Sequence, residues 1–166
     1  MISRAQTGNS LSLADMGHMA DAALPRFQLD YQSFRDLHKI LCLKPQARGA
    51  KSRFACYLAL YFPEVADLID ESDFSILHLE VGVLKLASRD AIAKGDWDAL
   101  SRHFAFVMAL LNNGGGELRD ALSVSYLGEL FYGESTGNFA VARCLLPQPL
   151  DSALEGLERH YGDRVL

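Results

Sequence analysis

With 166 residues, 49% hydrophobic and 22% charged, the chain has the size and balance of one folded domain, which excludes wholesale disorder and leaves little room for a second core. Lysine and arginine number 16 against 21 acidic residues, a net charge of −5, and no basic run is long enough to track a phosphate backbone, so nucleic acid is not an expected partner. Cys42, Cys56 and Cys144 are odd in number and widely spaced, so they predict neither a disulfide framework nor a zinc site and read as small buried hydrophobes.

Residues 1–28 read as a flexible arm or a short docking helix, and 29–166 as a single helical domain. No segment approaches the roughly 18 apolar residues of a membrane span, and the first residues lack a signal-peptide core, so the expected setting is cytoplasmic, away from membranes. Phe34, Leu37, Ile40 and Leu41 predict a helix over 31–43, ended ahead of Pro45, with a connection at Gly49. Phe54, Tyr57, Leu58 and Tyr61 mark the next helix, which Pro63 interrupts or restarts.

Ser72 or Asp73 is placed to cap a helix from about Phe74 to Lys94, with Gly95 as its stop. Asp96 caps the following helix, where Trp97, Leu100, Phe104, Val107, Met108 and Leu111 recur at steps of three and four. The run Asn112 to Gly116 stops it, and Val124, Leu127 and Phe131 restart the rhythm over about 117–132. Gly133 to Asn138 is a loop by composition, followed by two shorter helices over 139–146 and 150–161, broken at Pro147 and Pro149. No stretch alternates with period two, so the expected fold is all-α, a helical bundle or two-layer array of about six to eight helices.

The helix over 74–94 carries apolar residues on two faces. Phe74, Leu77, Val81, Leu84 and Ile92 form one; Ile76, Leu79, Val83, Leu86 and Ala87 form the other. His78, Lys85 and Arg89 fill a polar strip between them. Such a helix is expected to be covered on both sides and to expose only its strip.

Glu80, His103 and Glu129 each fall on the apolar side of their helices. They could converge as a pocket with one carboxylate acting as acid or base, or else form a satisfied polar network that fixes helix register or stand as boundary residues whose tips reach water. The second reading is preferred, because the spacing belongs to no established site and His78 and Glu80, two apart, face different ways. Asn112 to Glu117 lacks the Lys-Ser or Lys-Thr of a phosphate loop, and no Gly-x-Ser-x-Gly occurs. No catalytic residue, metal or cofactor is therefore expected. Trp97, Tyr126, Tyr132 and Tyr161 are of the type that anchors interfaces, although core packing accounts for Trp97 equally well.

From His78 to Glu134 the chain resembles a family of small uncharacterised bacterial helical proteins with a Phe-rich helix, a Gly-containing turn and a following Leu-Glu or Leu-x-Glu motif. Leu127-Gly128-Glu129-Leu130 is the local counterpart, and Leu145 to Leu150 and Leu157 to Tyr161 resemble the same group. Members are often encoded beside polymorphic toxins, so the resemblance implies an immunity protein that binds and occludes a cognate toxin. For that role the acidic and aromatic residues near helix ends are the natural contacts: Asp96, Asp98, Glu117, Asp120 and Glu134, with Tyr132. The competing classes are a small-ligand binder or enzyme using Glu80, His103 and Glu129, and a structural adaptor or homo-oligomer.

Overall fold

The computed structural model describes residues 52–162, and every regular element among them is helical. The arm at 1–28, the helix at 31–43, the Gly49 connection and Cys42 lie outside the described residues. In chain order the elements are α1 (Arg53–Tyr61), α2 (Pro63–Ala66), a 3-10 turn (Glu71–Asp73), α3 (Leu77–Lys94) and α4 (Trp97–Asn113). Then follow α5 (Gly116–Ala121), a π-helical segment (Leu122–Leu127), α6 (Gly128–Leu130), α7 (Asn138–Cys144) and α8 (Gln148–Gly162). The fold is all-α, with no strand among the described residues.

Local chemistry sets most boundaries. Ser52 starts α1 by accepting the Ala55 N–H at 3.0 Å. Pro63 restarts the helix as α2, since a first turn has no use for the N–H it lacks. Gly95 ends α3 at φ 69°, in the left-handed region that glycine enters without steric cost. Asp96 then accepts the Ala99 N–H at 3.0 Å and opens α4. Gly114 ends α4 with an extended backbone, its N–H donating to the Leu110 carbonyl at 2.7 Å, and a Cβ there would lie 2.6 Å from that oxygen.

Three expectations shift. The third helix starts at Leu77 rather than Phe74, because Ser75 sits at φ 68° and cannot continue a right-handed turn. Neither Ser72 nor Asp73 caps it; Asp70 accepts the Ser72 N–H at 2.8 Å and holds the 3-10 turn instead. Pro149 does not break the last helix but lies within the first turn of α8.

α5, the π segment and α6 run on as one rod. Hydrogen bonds from i to i+5 widen its middle turn, so residues three apart no longer share a face. Tyr126 and Leu127 turn inward with Leu122 and Leu130, while Val124, expected beside Leu127, is exposed.

α3 is the central element and packs against α1, α2, α4, α5, the π segment, α6 and α7; α8 closes over α4, the π segment and α6. Val81, Leu84 and Ile92 of α3 meet Leu100, Phe104, Val107 and Leu110 of α4 and Leu122, Tyr126 and Leu127 of the rod in one core. α4 is buried on a second side too, where Phe106 lies 5.3 Å from Phe62, 5.7 Å from Tyr61 and 6.3 Å from Phe54, centroid to centroid.

The expectation that α3 is covered on both sides is not met among the described residues. Its Val81 and Leu84 face is buried, but Ile76, Leu79 and Leu86 are exposed. Nor is the polar strip bare: it faces the rod. His78 Nδ1 lies 2.7 Å from Ser125 Oγ, Lys85 pairs with Glu129 at 2.5 Å, and Arg89 donates to the Leu130 carbonyl at 2.7 Å. These pairings rise together along both helices, so α3 and the rod run parallel, each antiparallel to α4.

Candidate interaction site

Glu80, His103 and Glu129, expected as one buried network, occupy three separate places. Glu80, in the first turn of α3, is fully buried. One carboxylate oxygen accepts the Ser75 N–H at 3.0 Å and the other accepts the Ser52 hydroxyl. It thus ties the start of α1 to the start of α3. Glu129 does not point into the protein: 53% of its side chain is exposed, and it pairs with Lys85 along the rim between rod and α3.

His103 is buried on α4 and meets Ser88 of α3 and Tyr126 of the π segment. Ser88 Oγ donates to the Leu84 carbonyl at 3.0 Å, lies 3.1 Å from His103 Nδ1 and 2.9 Å from the Tyr126 hydroxyl. A serine hydroxyl has one proton, here committed to Leu84, so both other contacts must donate to it. His103 is therefore the Nδ1-protonated tautomer, and Tyr126 presents its O–H to Ser88. Burial, with the nearby Arg102 cation adding to it, pushes the His103 pKa down to about 4, and burial raises that of Tyr126. With Nδ1 already protonated and the Ser88 proton aimed at a backbone carbonyl, this pair is not set up for base-assisted attack. Its chemistry is that of a three-helix staple.

Ser88 and Tyr126 were not singled out for this role from sequence. Ser88 stands on the same arc of α3 as Leu84 and Ile92, a polar residue at a core position, and that was the available signal. Tyr126 is fully buried and so is not an interface anchor. Cys144 also departs from expectation, being exposed at the end of α7, while Cys56 is partly buried. No group of three His, Cys, Asp or Glu among the described residues is placed to hold a metal ion. No helix there is long and apolar enough to cross a membrane.

The six surface residues divide between two ends. Asp96 and Asp98 begin α4, and the antiparallel rod returns Tyr132 and Glu134 to that same end. Arg89 fixes the junction: it donates to the carbonyls of Leu130 and Tyr132, pairs with Glu134 at 3.4 Å and lies 4.9 Å over the Phe139 ring. Its cation also faces the C-terminal carbonyls of the rod, where the helix dipole favours positive charge. Glu117 and Asp120 lie on α5, the length of α4 away, about 25 Å at the usual helical rise.

Beside Tyr132 a groove of about 380 Å³ opens between the end of the rod and α8. Gly128, Phe131, Leu154 and Leu157 line its floor, with Tyr132, Glu158 and Tyr161 around it. Arg143 braces the wall through a two-pronged pair with Glu158, at 2.8 and 3.0 Å, while lying 5.6 Å over the Phe131 ring. Tyr132 is 82% exposed, the most solvent-facing large apolar side chain among the described residues.

A family described as a domain of unknown function, DUF7674, matches residues 55–162, from α1 to the end of α8. The chain belongs to that family. The DUF7674 match therefore takes in both the Ser88, His103 and Tyr126 staple and the Tyr132 groove. No curated protein and no solved structure matches the chain.

Proposed function

We propose that this protein acts by binding another protein, and that its partner is a cognate bacterial toxin domain that it occludes in the manner of an immunity protein. The observation that carries the reading is Tyr132, 82% exposed beside an apolar groove. Tyrosines of this kind supply large contact area at little entropic cost and dominate binding energy where they occur. Asp96, Asp98 and Glu134 set carboxylates at the same end, which favours encounter with a basic partner. Glu117 and Asp120, at the far end, serve a second contact only if the partner spans the length of α4. The interior is compatible with this reading, since Glu80 is engaged by Ser52 and Ser75, and His103 and Tyr126 are both engaged by Ser88. The resemblance to toxin-associated helical proteins supplies the identity of the partner.

Co-expression with a toxin encoded beside this gene tests the proposal. Host survival, lost on Tyr132→Ala at unchanged expression, is the expected result. Continued killing of the host despite full expression of the unaltered protein overturns it.

A further inference from the structure

The groove beside Tyr132 is charged along one flank. Glu158 is the one charged residue among the described ones that line it. On α8, Leu154 and Leu157 stand within about 40° of Tyr161, and Glu158, Asp151 and Glu155 follow on one side at about 60°, 80° and 120°. Arg143 faces all three: it lies 2.8 and 3.0 Å from the Glu158 oxygens and 3.5 Å from Asp151, and Glu155 is within its electrostatic reach. One guanidinium among three carboxylates leaves two negative charges unmatched on the described surface. Arg159 does not offset them, because it stands about 160° around α8 from Tyr161 and its Nε turns back to the Glu155 carbonyl at 3.3 Å.

We propose that the groove and its acidic flank take a segment of another protein that carries an apolar side chain and a lysine or arginine within one helical turn of each other; the inference rests on the protein-binding reading above and names the chemistry of the partner. The apolar side chain lies on Phe131, Leu154 and Leu157, and the cation meets Glu155 and Glu158. Three observations select this occupant. The groove, about 380 Å³, is near the lower end of the roughly 300–1,000 Å³ of pockets that enclose whole ligands, a size suited to one anchoring side chain. The unmatched carboxylates attract a cation and repel an acidic segment. Tyr132 and Tyr161, 82% and 45% exposed, border the groove with rings whose faces also attract cations. Arg143 already holds the Glu158 carboxylate in place, so little side-chain freedom is lost when the cation arrives.

Panning a phage-displayed library of random peptides against the full chain tests the assignment, with the selected peptides labelled with fluorescein and titrated by fluorescence anisotropy. Selected sequences should pair Leu, Phe or Trp with Lys or Arg within about four positions. Tyr161→Ala, and separately Glu155→Lys with Asp151→Asn, should each weaken those peptides by about tenfold while circular dichroism stays unchanged. Panning on the charge variant should lose the preference for basic residues. Should that variant fail to fold, Glu155→Gln is read in the same direction. Asp90→Asn, which removes a carboxylate from α3 instead, should leave the titrations as they were.

No peptide above library background, selected peptides without basic residues, or affinities that Tyr161→Ala leaves unchanged each overturn the proposal. A dimer that Tyr161→Ala converts to monomer, with no peptide selected, assigns the groove to a second copy and also overturns it. The toxin is judged apart. Failure to protect the host while the selected peptides still bind removes only the toxin, and protection without any selected peptide removes only the groove assignment.

Discussion

The Tyr126 hydroxyl lies 2.9 Å from Ser88 Oγ, which fastens the π-helical turn to the middle of α3. Since Ser88 also receives His103, one small hydroxyl joins three helices. Removing the centre should therefore cost more than removing a spoke. Ser88→Ala strands two buried donors and should destabilise by about 2–4 kcal/mol, whereas Tyr126→Phe removes one donor and should cost about 1–2 kcal/mol. Urea denaturation midpoints at constant m-value check the order; a Tyr126→Phe loss larger than that of Ser88→Ala would contradict the hydrogen-bond assignment.

Stability should fall on mild acidification through His103. Its pKa is held at about 4 in the folded protein against an ordinary 6.5, so between those values the unfolded chain takes up the proton and the folded one does not. The contribution is full above pH 6.5 and is drawn down as pH falls towards 4, by on the order of 3 kcal/mol in the limit. His103→Asn keeps an N–H near the Nδ1 position without the titration. Its denaturation free energy, measured from pH 7 to pH 4.5, should be flatter than that of the unaltered protein, and parallel curves would remove His103 as the cause.

Glu80 and Glu129 should respond unequally to the same change. Glu80→Gln sets an amide NH2 against one of two donors in a buried site and should cost about 1–3 kcal/mol. Glu129→Gln breaks only a half-exposed pair with Lys85 and should cost about 1 kcal/mol or less, an effect that salt diminishes. Thermal melts in low and high salt separate the two; comparable losses would mean that Glu129 is not a surface group.

Tyr132→Ala should leave the melting temperature within a degree or two, since the ring is mostly in water. If the Tyr132 end binds the proposed toxin, affinity should fall at least tenfold, whereas Glu117→Ala at the far end should change it far less. Calorimetric titration with the purified toxin domain reads both. The reverse ranking would move the interface to the start of α5.

Sequence alone determined what depends on near neighbours along the chain. The all-α class, the stop at Gly95, the cap at Asp96 and the restart at Pro63 follow from the backbone preferences of single residues and from spacings of three and four, which act within one or two turns. Tyr132 was legible as a surface aromatic because it closes a helix just before a glycine-rich loop. The π turn, the Ser88 hub, the separation of Glu80 from Glu129 and the bare side of α3 were decided only in three dimensions. Angular position on a helix gives the direction of a side chain, but whether that direction meets another element, and which one, depends on segments tens of residues away. The same physics carried Val124 outward and Tyr126 inward: a widened turn, held by a contact across the core, shifts the register of the rod around it.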